Sequence, residues 1–181
     1  MIIVFLGPPY SGKGTQAAIL GEKLQLPVFS MGNIIRQAYK RGDARAVEGF
    51  EKYSMKGLHL PNDLKFPLLQ EKLDEKKDFI LDNYPANKED LDKFLDYLSE
   101  KSLTLNKVFY IYISVEEMKK RMVERGRGDD KPEIVFKRRE QQDKDRISVL
   151  EYFREQKLLE EINGEGSIEE ITEKILECLN D

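Results

Sequence analysis

A glycine-rich turn after the first apolar run is the feature that most limits what this chain can fold into. Residues 2–6, IIVFL, are β-prone without interruption, and residues 7–16 read GPPYSGKGTQ. An unbroken apolar run is typical of a strand buried on both faces of a parallel sheet. The spacing G-x-x-x-x-G-K from Gly7 to Lys13, between a strand and a helix, is that of a phosphate-binding loop. Its glycines let the backbone point N–H groups at a phosphate, and Lys13 adds a positive charge.

Two residues of this loop depart from its general pattern. Gly14 follows the lysine where serine or threonine is usual, and the hydroxyl comes one residue later, at Thr15. Tyr10 is bulky among residues that are otherwise small. If position 10 needs a positive φ, tyrosine is strained there, because that conformation favours glycine. We expect Tyr10 to tune the rim of the phosphate pocket without closing it.

Strands and helices alternate along the rest of the chain. Strands are predicted over 2–6, 27–29, 79–82, 107–114 and 159–163. Helices are predicted over 14–25, 31–41, 43–56, 62–76, 88–100, 115–125, 133–156 and 167–179. This alternation predicts an α/β fold of three layers, α/β/α, around a mostly parallel five-stranded sheet with right-handed crossovers. Gly7, Ser30 and Asp82 lie at strand ends, so we expect these segments to converge on one ligand site.

Composition sets the broad class of protein and removes several functions. The 181 residues suit one domain, and 40% hydrophobic with 35% charged content is a globular balance. A net charge of −4 argues against nucleic acid or an acidic membrane as a partner. Cys178 is the only cysteine, which excludes an intramolecular disulfide and a multi-cysteine zinc site. No apolar run is long enough to span a bilayer, and a cytoplasmic location is expected.

Several segments, in chain order, resemble the adenylate kinase family of nucleoside monophosphate kinases in its short-lid form. They are GPPYSGKGTQ at 7–16, SMGNIIR at 30–36, GLHLPND at 57–63, FILDNYPA at 79–86, RMVERGRGDD at 121–130, FKRR at 136–139 and INGEGSIEEI at 162–171. In that family glycine follows the loop lysine, so Gly14 and Thr15 fit its pattern. The resemblance implies one kinase domain over 1–181, whose core is 1–29, 61–124 and 134–181. It also implies a monophosphate-binding insertion at 30–60 and a short lid at 125–133.

The resemblance further implies reversible phosphoryl transfer from ATP to AMP, which gives two ADP, with Mg²⁺ and without zinc. A monomer is the family default. The implied catalytic residues are Lys13, Arg125, Arg127 and Arg138. The implied ATP-binding residues are Tyr10, Ser11, Gly12, Lys13, Gly14, Thr15, Arg121, Arg125 and Gly166. The implied AMP-binding residues are Met31, Arg36, Leu58, His59, Leu60, Asn83, Tyr84, Asp90, Arg127 and Arg138.

Arginine and lysine side chains suit phosphoryl transfer. This reaction needs two substrates held in line and compensation of the charge on the moving phosphoryl group more than it needs covalent catalysis. Arginine is always charged and binds phosphate through two N–H groups at once. Asp82 ends a buried strand, where a carboxylate can orient water bound to magnesium, and Thr15 offers a hydroxyl nearby. His59 is the only histidine. We expect it to pack or to contact the base, because this reaction needs no histidine base.

The acceptor segment departs most from the family pattern. Ala86 stands where the family has a phosphate-binding arginine, and Asp90 where it has a base-reading glutamine. Loss of one charge-assisted phosphate contact costs about 1.5–3 kcal/mol, or roughly ten- to a hundredfold in acceptor affinity. AMP is the first choice of acceptor, while CMP and GMP stay open. Two further alternatives are an ATP-binding module with a weakened acceptor site and a P-loop kinase for another small molecule.

Overall fold

Five parallel strands form the central sheet. The structure is a computed structural model that describes residues 1–125 and 132–180. Within that part of the chain the strands are β1 Ile2–Leu6, β2 Val28–Ser30, β3 Phe79–Asp82, β4 Lys107–Tyr112 and β5 Leu159–Asn163, in the order β2-β3-β1-β4-β5. Every strand pair is parallel. The predicted five-stranded sheet is confirmed, and it is entirely parallel in the described residues.

Helices cover both faces of the sheet. They are α1 Lys13–Leu24, α2 Met31–Lys40, α3 Ala44–Lys52, α4 Asn62–Leu73, α5 Lys88–Glu100, α6 Val115–Arg125, α7 Pro132–Glu155 and α8 Ile168–Asn180. Successive side chains of β1 alternate between the two faces, as a strand requires. Val4 and Leu6 pack in a core shared with α2, α4, α5 and α7. Ile3 and Phe5 pack in a second core shared with α1 and α8, which confirms the three-layer architecture.

The prediction of one continuous helix over 43–56 is wrong. Asp43 caps α3 by accepting a hydrogen bond from the backbone N–H of Arg45 at 3.0 Å, and α3 then ends at Lys52. Tyr53 leaves the helical conformation with φ −123° and ψ −59°, and a 3₁₀ turn follows at Ser54–Lys56. Gly57 closes this turn at a φ of 73°, a conformation that glycine adopts without steric cost.

The carboxyl ends of three strands meet at one edge of the sheet, as predicted. Asp82, the last residue of β3, is paired in register with Ser30 of β2 and with Phe5 of β1. Gly7, which follows β1, therefore lies beside the other two strand ends. In the described part of the chain, no helix is both long and apolar enough to cross a membrane.

Candidate active site

A cavity of about 610 Å³ lies at this edge of the sheet. It brings together most of the predicted site residues from five separate segments. Those that line it are Tyr10, Gly12, Lys13, Gly14, Thr15, Met31, Arg36, Leu58, His59, Leu60, Asp82, Asn83, Tyr84, Asp90 and Arg138. Among the described residues, the predicted Ser11, Arg121 and Gly166 do not line this cavity. Arg127 and the side chain of Arg125 lie outside the described residues.

The phosphate-binding loop closes on itself through short backbone contacts. The N–H of Ser11 donates to the Pro8 carbonyl at 3.3 Å, and Lys13 Nζ donates to the same carbonyl at 3.1 Å. Gly12 stands before α1 at a φ of 87°, where a side chain would be strained. The first turn of α1 lines the cavity with Lys13, Gly14 and Thr15. Because the first N–H groups of a helix have no partner within the helix, such a turn is the arrangement that binds phosphate.

Tyr10 adopts the left-handed conformation that the sequence suggested, with a φ of 64°. This conformation costs roughly 1–2 kcal/mol for an L-residue, so another interaction must hold it. Its side chain packs in a small core with Ile113, Met118 and Val135, and only 9% of the residue is exposed. Tyr10 therefore ties the phosphate-binding loop to α6 and α7 as well as bordering the cavity.

Replacing Tyr10 should separate strain from packing. We expect Tyr10→Ala to lower the free energy of unfolding by about 3 kcal/mol, because it removes a buried ring. Tyr10→Gly should recover about 1 kcal/mol of that loss, because glycine adopts the positive φ freely. Urea unfolding of the three proteins measures both differences. Equal stability of the Ala and Gly variants would show that backbone strain at position 10 is negligible.

Asp82 lies against the loop at Gly14. A Cβ built on Gly14 would be 3.2 Å from Asp82 Oδ2, a tight contact, so a side chain at this position would press on the carboxylate. Asp82 is only 8% exposed, and its Oδ1 is buried without a hydrogen-bond partner in the described part of the chain. A buried carboxylate oxygen without a partner is costly unless a ligand or water satisfies it. This oxygen therefore fits the predicted role toward water bound to magnesium.

Two of the predicted arginines line the cavity. Arg36 donates to Asn33 Oδ1 at 2.6 Å and lies beside Gly32, where a Cβ would be 3.3 Å from Arg36 Nη1. Arg138 is half-buried, and no hydrogen bond or ion pair to it is seen within residues 1–125 and 132–180. The neighbouring Arg139 is engaged instead with the carbonyls of Ile113 at 2.8 Å and Ser114 at 3.2 Å. Of these two adjacent guanidinium groups, only that of Arg138 is available to an anion in the cavity.

Arg121 connects three elements behind the loop. Its guanidinium donates to the carbonyls of Tyr10 at 3.2 Å and Gly164 at 2.6 Å, and to Glu117 Oε1 at 2.7 Å. It thereby joins the phosphate-binding loop to α6 and to the turn after β5. Gly166 lies in that same turn, where a Cβ would be 2.9 Å from Glu170 Oε2. The predicted contacts of Arg121 and Gly166 with a donor base stay predictions.

At the acceptor end, Asp90 borders the cavity but has no exposed surface. Its Oδ2 pairs with Lys65 Nζ at 2.8 Å and accepts from the backbone N–H of Ala86 at 3.0 Å. Its Oδ1 accepts from Asn62 Nδ2 at 2.8 Å. Both carboxylate oxygens of Asp90 are thus occupied by protein groups. This geometry does not support the predicted direct contact between Asp90 and the acceptor base.

Two aromatic side chains complete this end of the cavity. The Tyr84 hydroxyl donates to the Asp90 carbonyl at 3.2 Å, and burial raises the pKa of this phenol. His59 Nε2 lies 3.3 Å from Asp145 Oδ2 on α7. Burial lowers the pKa of His59, and the positive charge of Lys65 lowers it further. His59 is thus neutral near pH 7 and contributes shape and polarity rather than charge.

Sequence reasoning missed Lys65 and Gln142, which both line the cavity. The sequence pattern around Lys65 could have identified it. Lys65 falls on the buried face of α4 together with Asn62, Leu69 and Leu73, and a lysine on such a face needs an acidic partner. The partner belongs to another helix, so spacing along the chain did not identify it.

A phosphate-binding loop between a buried parallel strand and a helix, with cationic side chains facing it across a cavity, defines a P-loop protein of the three-layer α/β class.

The family model for adenylate kinase matches residues 5–158. An adenylate kinase of Leptospira biflexa serovar Patoc is 34% identical over 184 residues, which cover 98% of this chain and 98% of that protein. The adenylate kinase of Bifidobacterium longum is 34% identical, over 99% of this chain and all of its own length. That of Mycobacterium sp. (strain MCS) is 33% identical, over 99% of both chains. The chain belongs to the adenylate kinase family.

Proposed function

We propose that this protein is an adenylate kinase that transfers a phosphoryl group reversibly between ATP and AMP. One observation carries the proposal. A single cavity joins the phosphate-binding loop at Lys13 to the acceptor segment at Leu58–Leu60, with Arg36 and Arg138 in its lining. Two nucleotides can thus meet with their phosphates between cationic groups. Membership of the adenylate kinase family, over nearly the whole chain, supports the same activity.

The donor triphosphate would lie on the loop. Backbone N–H groups of Gly12 to Thr15 surround its outer phosphates, and Lys13 places a point charge beside them. Ser11 contributes through its backbone, because its side chain is 1% exposed and buried below the loop. Arg121 and Gly166 would flank the donor base, and Arg125 the donor phosphates, as the family resemblance implies.

The acceptor monophosphate would lie in the remaining part of the cavity. Arg36 and Arg138 hold its phosphate, with Arg127 of the lid as a third cation. The base would lie among Leu58, His59, Leu60, Asn83 and Tyr84, which line the cavity and which the family resemblance assigns to it. Met31 lines the cavity, is 4% exposed and packs in the core with Ile34 of the same helix. Residues 30–60 would be the insertion that carries this site, and residues 125–133 the lid.

In the transfer step an oxygen of the acceptor phosphate attacks the γ-phosphorus of ATP, and the bond from that phosphorus to the β–γ bridging oxygen breaks. No proton needs to move, since the attacking phosphate oxygen is already anionic. The arginines and Lys13 compensate the charge that spreads over the moving group. Closure of the insertion on α7 would exclude water. A Cβ at Gly57 would already lie 3.1 Å from the Ile134 carbonyl, so the two elements are in contact.

Magnesium fits beside Asp82. The buried Asp82 Oδ1, which has no partner among the described residues, would hold the ion through a water molecule. The Thr15 hydroxyl, in the same cavity lining, would bind the ion from the side of the loop. Bound there with ATP, Mg²⁺ neutralises phosphate charge. Asp82 would act through water bound to the ion, as the acidic residue at the end of the neighbouring strand does in P-loop enzymes.

The activity is tested by assay of phosphoryl transfer from Mg-ATP to AMP, CMP, GMP and UMP at equal concentrations. Fastest turnover with AMP, measured as ADP formed, supports the proposal. Fastest turnover with CMP or GMP would assign a different monophosphate kinase. Binding of ATP without transfer to any acceptor would refute kinase function, and calorimetry with ATP detects that outcome.

We expect Asp82→Asn to lower kcat/KM about 10–100-fold at physiological magnesium, the usual effect of losing a group that orients a metal's ligands. The defect should shrink as magnesium rises, because the variant binds the ion more weakly. Magnesium titration of the initial rate measures both effects. Asp96→Asn, an exposed change on α5, is the matched control and should leave the titration unchanged.

A further inference from the structure

A buried ion pair lies at the acceptor end of the cavity. Lys65 of α4 and Asp90 of α5 are 2.8 Å apart, with 4% and 0% of their side chains exposed. Taking two such charges out of water costs several kcal/mol per ion, and a pair of apolar residues of similar size is often as stable. Stability alone therefore does not account for the pair. Its position in the lining of the cavity suggests a ligand instead.

Asp90 is held rigidly by the protein. Its two oxygens receive hydrogen bonds from Asn62 Nδ2 and from the backbone N–H of Ala86, in addition to the ion pair. Its own backbone N–H donates to Asn87 Oδ1 at 2.9 Å, which caps α5. A carboxylate fixed in this way and fully covered cannot meet a ligand. It can, however, fix the position of the ammonium group beside it.

Both residues border the cavity, and Lys65 is the member of the pair whose side chain has exposed surface. An ammonium group carries three N–H donors, and Asp90 takes up one direction. Within the described part of the chain, no second acceptor for Lys65 Nζ is seen. The side chain lines the cavity next to His59, whose pKa the charge of Lys65 lowers. A hydrogen-bond donor, oriented from behind by a buried carboxylate, is therefore available where the acceptor segment holds the base.

We propose that Lys65 reads the base of the acceptor nucleotide by donating a hydrogen bond to one of its ring nitrogens, and that Asp90 positions Lys65 for this contact. This inference rests on the proposed function, which places a nucleoside monophosphate in this part of the cavity. For adenine the available ring acceptors include N7 and N3 at its edges and N1 at its pairing edge. The exocyclic amine is a donor and is not read by an ammonium group. Lys65 is thus a specificity residue and Asp90 a positioning residue.

The first test removes both charges together, so that neither is left buried alone. In Lys65→Met/Asp90→Asn the side chains keep their approximate size. We expect the KM for AMP to rise about tenfold to a hundredfold, the usual effect of losing a charge-assisted hydrogen bond. The KM for ATP and kcat at saturating AMP should change less than about threefold. An unchanged KM for AMP would overturn the inference, because a purely structural pair predicts that result.

Ligand analogues test the contact in the unaltered protein. We expect one of 1-deaza-AMP, 3-deaza-AMP and 7-deaza-AMP, each of which lacks one ring nitrogen, to bind at least about tenfold more weakly than AMP. That same analogue should lose no further affinity in the double variant. If all three analogues bind as AMP does, no ring nitrogen is read and the inference fails.

The two proposals fail separately. Turnover of AMP by the unaltered protein with full affinity for every deaza analogue leaves adenylate kinase activity intact and removes the role of Lys65. No turnover of any monophosphate removes the proposed function itself. In the single variant Asp90→Asn, the ratio between the KM values for the sensitive analogue and for AMP should shrink. Lys72→Met, an exposed change on the same helix α4, is the matched control and should leave all affinities unchanged.

Discussion

Lys13→Met should lower kcat by about 10²–10³-fold with AMP and Mg-ATP as substrates, the usual loss when one preorganised group that stabilises transition-state charge is removed. Methionine keeps the length of the side chain and lacks the charge. In the structure Lys13 Nζ lies over the loop, 3.1 Å from the Pro8 carbonyl, in the lining of the cavity. From this position its charge reaches the outer phosphates of a nucleotide bound to the loop. Steady-state rates at saturating substrates measure the effect.

The control for Lys13→Met is Lys23→Met, which removes the same charge from an exposed position near the end of the same helix α1. It should leave kcat and both KM values unchanged. Thermal unfolding of both variants should remain close to that of the unaltered protein, since the hydrogen bond from Lys13 Nζ to the Pro8 carbonyl lies within the loop and the side chain borders the cavity. A loss of kcat below about tenfold in Lys13→Met would contradict the placement of the γ-phosphate beside this lysine.

Local patterns were enough to predict the sheet and the loop. The apolar run Ile2–Leu6 and the glycine spacing from Gly7 to Lys13 depend only on neighbours along the chain, and the structure confirms both the strand and the turn. Asp82 was predictable for the same reason, because it ends a buried strand and parallel strands end at the same edge. Residues whose environment is set by their own segment can be assigned from sequence.

Contacts between distant segments were not predictable. Tyr10 was assigned to the rim of the phosphate pocket, and its packing against Ile113 and Met118 depends on how α6 folds over the loop. Asp90 was assigned to the acceptor base, and its pairing with Lys65 depends on how α4 and α5 meet. The break at Tyr53 arises similarly, because a 3₁₀ turn there carries Gly57 onto the carbonyl of Ile134. Tyr10 and Asp90 could be singled out by side chain type, but their partners could not.

Lys65→Met alone should lower the free energy of unfolding by about 3–5 kcal/mol, because it leaves the Asp90 carboxylate buried without its counter-charge. This is a large share of the roughly 5–15 kcal/mol that stabilises a domain. The hydrogen bonds from Asn62 at 2.8 Å and from the Ala86 N–H at 3.0 Å remain, but they carry no full positive charge. Urea unfolding gives the loss, and Lys72→Met on the exposed face of α4 should unfold as the unaltered protein does.

Addition of Asp90→Asn to Lys65→Met should restore most of the lost stability, since no charge then remains in the buried site. The single variants and the double variant form a thermodynamic cycle whose coupling energy isolates the pair. Stability recovered in the double variant together with a raised KM for AMP would separate the two roles of the pair. The ion pair would then be dispensable for folding but required for binding of the acceptor nucleotide. Full stability of Lys65→Met alone would instead mean that Asn62 and the N–H of Ala86 are sufficient to hold the Asp90 charge, and that Lys65 is not needed to stabilise it.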